Sequence, residues 1–276
     1  MKKMAFRKDG VCGECSKEIK AGTTGFWDTS KKLIFCLEHF EEKVTETPSI
    51  SILPPIDRGT AGGSAKRMAD RKVRKRQDRL DAKFEGRPIL RALAEVINEE
   101  SHDTKAWKKG AQGEEGVGRN LEELAKKYNF IVLHDRRIPG SKANIDHIAI
   151  TGTGVYVIDV KNYEGQIKIE YSGLFSLKPP QLKVGNRNQT KLVDGVKRQV
   201  EIVIECLAKQ DVSVLVTGLL YFYRADWPML LPPKEISGVL LNSRKGFTRI
   251  AELPANINSN DIEKIARVIA ETLKAY

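Results

Sequence analysis

The stretch NIDHIAITGTGVYVIDVK, residues 144–161, decides the fold of this chain. Two runs rich in β-branched residues flank a four-residue turn at 151–154, which is typical of an antiparallel hairpin. If Ile150 pairs with Val155 across the turn, the same register places Asp146 opposite Asp159. The hairpin therefore predicts two acidic side chains on one face of otherwise apolar strands.

The paired acids and a nearby lysine predict a metal-dependent hydrolytic site. Directly opposed residues have Cβ atoms about 5 Å apart, so two carboxylates there repel unless a cation lies between them. Lys161 is two residues beyond Asp159 and shares its face. Oxygen ligands favour Mg²⁺ or Mn²⁺, and this set suits phosphodiester hydrolysis. On geometry alone, an ordinary cross-strand ion-pair network remains an equal alternative.

The periodicity around the hairpin predicts an α/β domain with a mixed sheet flanked by helices. Val117, Leu121 and Leu124 recur at helical spacing, and Glu114 lies on or beside that inward-facing stripe. His147 should point to the strand face opposite Asp146. The further expectations are strands at 130–133, 166–170, 174–177, 212–223 and 236–241, and helices at about 190–209 and 261–273.

Composition and charge point to an anionic partner. The chain has 276 residues, 47 Lys and Arg against 36 Asp and Glu, and a net charge of +11, which favours nucleic acid. Residues 66–87 hold ten basic and four acidic side chains and predict a solvated basic helix that ends before Pro88. No apolar run is long enough to span a membrane, and no signal sequence is evident, so we expect a cytoplasmic protein without a membrane partner.

The N-terminal cysteines predict a structural zinc site. Cys12 and Cys15 form one closely spaced pair, and Cys36 and His39 form a second pair about twenty residues later. Four such ligands suit tetrahedral Zn²⁺ in a small treble-clef or zinc-ribbon module. We expect the segments around Phe26 and 33–35 to form a short hairpin, and a helix to begin at Cys36. Such a module could bind either nucleic acid or a protein partner.

Four segments follow from these patterns. We predict a zinc-binding module at 1–44, a flexible linker at 45–64 rich in Thr, Ser, Pro and Gly, a basic helical segment at 65–106, and the main α/β domain at 107–276.

Several motifs of the main domain resemble the nuclease-related domain (NERD) family of the PD-(D/E)XK phosphodiesterase superfamily. The motifs are GAQGE at 110–114, IDHI at 145–148, VYVIDVKN at 155–162 with Gly165, and NQTKLVDGVKRQV at 188–200. The resemblance implies a restriction-endonuclease-like fold.

The same resemblance implies a set of site residues. Asp146 and Asp159 would be metal ligands, Lys161 the catalytic lysine, Glu114 the helix carboxylate of the site and Gln199 a helix glutamine near it. Glu115 adjoins Glu114, so that assignment could shift by one position. Lys191 lies near the same later helix and is a candidate phosphate contact.

The sequence favours a Mg²⁺-dependent nuclease that acts on nucleic acid, with DNA preferred to RNA as the substrate. Two alternatives stay open. One is a binding module that uses the zinc finger and the basic helix without catalysis, and the other is an RNA nuclease, because the metal chemistry is indifferent to the sugar.

Overall fold

The computed structural model describes residues 2–29, 31–37, 54–97, 102–171 and 179–276. The chain divides into two compact units, Met1–Pro55 and Ile56–Tyr276. His39, most of the helix predicted from Cys36, residues 45–53 of the predicted linker and the strand predicted at 174–177 lie outside the described residues.

The first unit is a small set of short strands around an apolar cluster. Its strands are β1 (Lys2–Ala5), β2 (Gly10–Val11), β3 (Glu18–Ile19), β4 (Thr24–Asp28) and β5 (Leu33–Phe35). β4 pairs antiparallel with β1 and β5, which confirms the predicted hairpin. Phe6, Cys12, Ile19 and Phe35 form the buried cluster.

The second unit alternates helices and strands. Its helices are α1 (Gly63–Lys83), α2 (Pro88–Ile97), α3 (His102–Tyr128), α4 (Lys191–Ala208), α5 (Arg244–Ala251) and α6 (Ser259–Thr272). Its strands are β6 (Ile131–Arg137), β7 (Asn144–Thr151), β8 (Gly154–Lys161), β9 (Ile167–Glu170), β10 (Gln181–Val184), β11 (Arg187–Asn188), β12 (Val216–Phe222), β13 (Glu235–Ile236) and β14 (Val239–Asn242).

The central sheet is mixed, as the sequence predicts. Its six strands lie in the order β13-β14-β12-β8-β7-β6, and β9, β10 and β11 form a separate small sheet. β6, β7 and β8 pair antiparallel, whereas β8, β12 and β14 run parallel. The parallel strands place the C-terminal ends of β8 and β12 at the same edge of the sheet.

The predicted register of the β7–β8 hairpin is confirmed. Ile150 pairs with Val155, and the ladder continues to His147 opposite Ile158. Both faces of these strands are buried, so the turn at 151–154, not a single apolar face, sets the register. The ladder ends at the pair of His147 and Ile158, and Asp146 and Asp159 are the next residue on each strand.

Helices cover both faces of the sheet and bury apolar side chains on each. On one face, Val117 and Leu121 of α3 pack in a cluster that includes Ala149 and Ile158. On the other face, α4 and α6 contribute to a cluster whose buried members include Ile148, Val157, Val203, Ile265 and Ile269. The predicted α/β fold, with a mixed sheet between helical layers, is therefore the observed one.

The basic helix α1 is less solvated than its charge suggests. Ala65, Ala69 and Leu80 are buried, and α1 packs against α3. Gly118 of α3 lets the segment just before α1 approach closely, since a Cβ atom there would lie 2.4 Å from the Cβ of Ala61. The α3 helix also crosses position 107, where we placed the start of the main domain, and that boundary remains a prediction.

One predicted strand is two strands. The apolar run at 236–241 is broken between β13 and β14, where Ser237 has φ 49° and Gly238 has φ 83°. Two successive residues with positive φ form a tight hairpin turn, which alternation of apolar residues does not reveal.

Candidate active site and metal centre

The hairpin brings Asp146, Asp159 and Lys161 to one edge of the central sheet. Both acids are buried, with 8% and 9% of their surface exposed. The backbone N–H of Val160 donates a hydrogen bond of 2.8 Å to Oδ2 of Asp146. Nζ of Lys161 lies 2.6 Å from Oδ2 of Asp159. A partly buried ammonium group thus directly neutralises one of two neighbouring buried acids.

Burial and mutual repulsion shift the carboxyl groups of this cluster. Burial raises the pKa of Asp146 to about 7, and the negative charge of Asp159 adds to the effect. Burial also raises the pKa of Glu114, on α3, to about 9, with further contributions from Asp146 and Asp135. Acids that share a buried region resist ionising together, so this region favours an added positive charge.

The pKa of Lys161 is also raised, which for a lysine favours the charged form. Burial alone would lower the pKa of Lys161, but the charges of Asp159 and Asp146 outweigh burial and raise it. Lys161 therefore stays protonated at neutral pH. An ammonium group held in this way can stabilise negative charge that develops on a phosphoryl oxygen.

Several buried side-chain atoms have no hydrogen-bond partner among the described residues. They include Oε2 of Glu114 and Oε1 of Gln199, and also Nε2 of His147 and Oδ1 of Asn162, which adjoin Asp146 and Lys161 in the sequence. Buried oxygen atoms without a donor are uncommon and require an explanation. A hard divalent cation or its bound water would satisfy the carboxylate oxygen of Glu114, so the donor set fits Mg²⁺ or Mn²⁺.

The carboxylates are not drawn tightly together. Within the described part of the chain, the group of metal-ligand atoms lying within 4.8 Å of one another is the cysteine cluster described below, not the acids. The contact between Lys161 and Asp159 holds one acid turned toward the lysine. Lys191, the candidate phosphate contact, is exposed at the first residue of α4.

Two further residues of this region were not anticipated from the sequence. Asp135 lies in β6 with φ 50°, is 2% exposed and adds negative charge beside Glu114. Asn162 directly follows Lys161, and its side chain donates a hydrogen bond of 2.7 Å to the carbonyl of Lys109. Asn162 belongs to the VYVIDVKN motif that carries the family resemblance. No sequence motif around Asp135 indicates that it is near the site.

His147 lies on the side of β7 that faces α3 and joins a buried pair. Its Nδ1 lies 2.8 Å from Nδ1 of His134, whose Nε2 lies 3.0 Å from Oε1 of Glu122. Burial lowers the pKa of both imidazoles, and that of His147 lies well below its usual range. Both rings are therefore neutral at pH 7 and tie β6 and β7 to α3.

The cysteines of the first unit form a compact cluster. The Sγ atoms of Cys12, Cys15 and Cys36 lie within 4.8 Å of one another, and those of Cys15 and Cys36 are 3.9 Å apart. A tetrahedral zinc ion with bonds of about 2.3 Å requires sulfur atoms roughly 3.8 Å apart. The cluster is compatible with a small zinc module. The fourth predicted ligand, His39, lies outside the described residues.

Backbone N–H groups near this cluster lower the pKa of Cys12, which favours binding of a cation. Burial would raise the pKa of Cys12, but backbone N–H groups of Cys15, Cys36 and Glu14 outweigh burial and lower the pKa to about 6. The backbone N–H of Cys36 lies 3.5 Å from Sγ of Cys12. A stabilised thiolate is the form of cysteine that binds metal. Ser16, with φ 59°, closes the turn after Cys15.

In the part of the chain that the structure describes, no helix is both long and apolar enough to cross a bilayer.

Comparison with known proteins supports the resemblance noted in the sequence. An uncharacterized protein of Bacillus anthracis is 45% identical over 64 residues, which cover 22% of this chain and 29% of that protein. The chain thus spans less than a third of the length of this relative. No solved structure matches the chain significantly. The family model of the nuclease-related domain matches residues 109–223, the part of the chain that holds Glu114, Asp146, Asp159, Lys161 and Gln199.

Proposed function

We propose that this protein is a Mg²⁺- or Mn²⁺-dependent nuclease that acts on DNA. Asp146 and Asp159 would hold the metal ion, with the carboxylate of Glu114 beside them, and Lys161 would assist attack by water. The match of residues 109–223 to a nuclease-related domain supports a nuclease-like function for this part of the chain.

One observation carries the proposal. The partly buried Lys161 ammonium group is paired with Asp159, beside two further carboxyl groups, partly buried Glu114 and buried Asp146, whose pKa values are raised. A purely structural ion pair would need one acid and one base. Without a second cation, the extra acids avoid the cost of burying charge by holding their protons, as their raised pKa values show, and a divalent ion would allow them to ionise.

Each proposed site residue would have a separate role. When bound, a divalent ion supplies polarisation of the phosphoryl oxygen and a lower pKa for water. Lys161 keeps its proton and stabilises charge on the phosphate, since the neighbouring acids raise its pKa. The backbone N–H of Val160 fixes the Asp146 carboxylate, and Gln199 would orient a polar group from the facing helix α4.

The remaining parts would provide affinity and folding. We propose that α1 and Lys191 contact phosphates, since a basic surface binds DNA through counterion release. Cys12, Cys15, Cys36 and His39 would hold a structural Zn²⁺ ion in a treble-clef or zinc-ribbon module. That module would bind either nucleic acid or a protein partner. A reducing cytoplasm suits its free thiols.

A cleavage assay tests the proposal. The purified, zinc-loaded chain is incubated with labelled single-stranded, duplex and branched DNA, and with RNA, with and without added Mg²⁺ or Mn²⁺. We expect metal-dependent cleavage of DNA that Lys161→Ala abolishes. Lys183→Ala is the matched control, because Lys183 also pairs with an acid, Glu170, but lies in the small sheet.

The other outcomes would identify the alternatives. Cleavage of RNA alone would assign the chain to the RNA nucleases. Binding of nucleic acid without cleavage under every metal condition would favour the non-catalytic binding module. Equal cleavage by wild type and Lys161→Ala would contradict the assignment of the site.

A further inference from the structure

Three consecutive large apolar side chains project almost entirely into solvent between β12 and β13. Met229, Leu230 and Leu231 are 95%, 86% and 94% exposed, and we call them the apolar tip. Isolated exposed leucines are ordinary on protein surfaces. Three adjacent apolar side chains with such high exposure lower solubility, and a patch of this kind often marks a binding site.

The loop that carries the apolar tip is anchored at its base. The Trp227 ring packs edge-on against Phe222 at a centroid distance of 6.3 Å. The backbone N–H of Asp226 donates a hydrogen bond of 3.0 Å to the carbonyl of Gly165, and Ile167 donates one of 3.0 Å to Asp226. The residues that precede the apolar tip are therefore held in place by these contacts.

The backbone of the loop is also restricted. Pro228 precedes the tip, and Pro232 and Pro233 follow it. Proline fixes its own φ angle and limits the residue before it. Leu231 adopts φ 49°, an uncommon conformation for a residue other than glycine. Strained conformations of this kind are concentrated at functional positions.

The apolar tip lies beyond the same sheet edge as the candidate active site. β12 runs parallel to β8, and Phe222, its last residue, pairs with Lys161. The next residue, Tyr223, donates a backbone hydrogen bond of 3.0 Å to the carbonyl of Lys161. The chain thus leaves the sheet beside Lys161 and reaches Met229 six residues after Tyr223.

We propose that the apolar tip inserts between stacked bases of duplex DNA held at the Asp159–Lys161 edge, so that the duplex kinks beside the bond to be cut. This inference rests on the proposed function. Apolar wedges of Met, Leu and Pro insert between base steps in proteins that bend DNA. Unstacking opposes insertion, and burial of the three side chains offsets that cost.

Other features of the molecule favour a nucleic acid as the occupant. The chain carries a net charge of +11, which draws a polyanion to its surface. The tip borders a groove of about 490 Å³, lined by residues of β9 and by Pro228, Leu230 and Leu231, on the side of the loop that faces β9. The groove has both apolar and charged side chains, including Lys168 and Lys234, so a base displaced from the stack would meet Leu230 and Leu231 beside cationic groups.

Permanganate oxidation of unstacked thymines tests the inference, with no divalent metal added so that the duplex stays intact. At saturating protein, we expect reactivity to rise by about tenfold at one or two adjacent thymines, as expected when a base step is opened. The variant Leu230→Ser/Leu231→Ser should lose this signal at equal occupancy. Leu215→Ser/Leu253→Ser is the matched control, because it also removes two exposed leucines, 66% and 54% exposed.

The outcomes separate this inference from the proposed function. Unstacking by the wild type but not by the tip variant supports the inference, even if no metal then yields cleavage. Cleavage by the wild type without enhanced thymine reactivity, or equal reactivity in the tip variant, overturns the inference and leaves the nuclease assignment intact. A third outcome is that the wild type sediments as a dimer and only the tip variant does not, while unstacking is the same in both proteins. This result would assign the tip to contact with a second copy and overturn the inference. If the double variant fails to fold, Met229→Ser provides the same comparison.

Discussion

Oδ2 of Asp135 lies 2.6 Å from the backbone nitrogen of Ser64, which joins strand β6 to the first turn of the basic helix α1 across 71 residues of sequence. The other carboxylate oxygen accepts a hydrogen bond of 2.8 Å from Asn144. Arg67 of α1 lies 3.4 Å from Asp135 and also donates to the backbone carbonyl of Tyr276. One acid thus fixes the start of α1 relative to the strand beside Asp146.

We expect Asp135→Ala to destabilise the folded chain by about 2–4 kcal/mol, because it leaves buried donors without an acceptor and places alanine at a positive φ. Urea denaturation at neutral pH measures the change. Asp78→Ala, on the exposed side of α1, is the control and should leave the unfolding midpoint unchanged. Equal midpoints for both variants would contradict the role of Asp135.

In the metal-free protein, the contribution of Glu114 and Asp146 to the free energy of unfolding should fall as pH rises. Glu114 has a pKa of about 9 in the folded chain against 4.5 as a model group, and Asp146 has about 7 against 3.8. The folded chain therefore holds more protons than the unfolded chain within those windows, so unfolding is favoured as pH increases through them. The slope approaches about 1.4 kcal/mol per pH unit for each proton.

Glu114→Gln removes one of these groups without changing its shape. We expect the variant to lose less stability than the wild type between pH 5 and about pH 9, in thermal melts without divalent metal. Added Mg²⁺ should stabilise the wild type most at the alkaline end, since the acids must lose their protons to bind it. Parallel pH profiles for the two proteins would rule out Glu114 as the source.

The first unit should contain one zinc ion per chain, as measured by elemental analysis of the purified protein. Cys15→Ser should lose the metal, and residues 2–37 should then become sensitive to proteolysis. The reason is that a structural zinc ion supplies much of the folding free energy of so small a unit. Cys206→Ser is the control. Cys206 is buried in the core of the second unit, so this variant should keep its zinc.

The basic helix should contribute to DNA binding through charge. The variant Arg71→Ala/Lys75→Ala removes two exposed basic side chains of α1 and should lower the affinity for DNA. It should also reduce the slope of log K against log salt concentration by about 2, or roughly 0.9 for each phosphate that the protein no longer neutralises. Fluorescence anisotropy over a range of salt concentrations measures the slope. The control Lys264→Ala/Lys274→Ala removes two exposed lysines from elsewhere, and an equal effect in both variants would indicate that net charge alone matters.

Local patterns in the sequence determined the elements and much of the candidate site. The turn at 151–154, with Ile150 paired to Val155, predicted the register of β7 and β8, because loop length decides which residues face each other across a hairpin. That register placed Asp146, Asp159 and Lys161 together, and the helical spacing of Val117 and Leu121 placed Glu114 beside the inward-facing stripe. The spacing of Cys12, Cys15 and Cys36 likewise predicted their cluster.

Only the tertiary structure decided how distant segments meet. The contact of Asp135 with Ser64, the pairing of His134 with His147, and the exposure of Met229 depend on where whole elements pack. The periodicity of a sequence reports which side of one helix or strand is buried. It carries no information about which partner covers that side, because partners far apart in sequence are selected by the complementary shapes and charges of assembled surfaces.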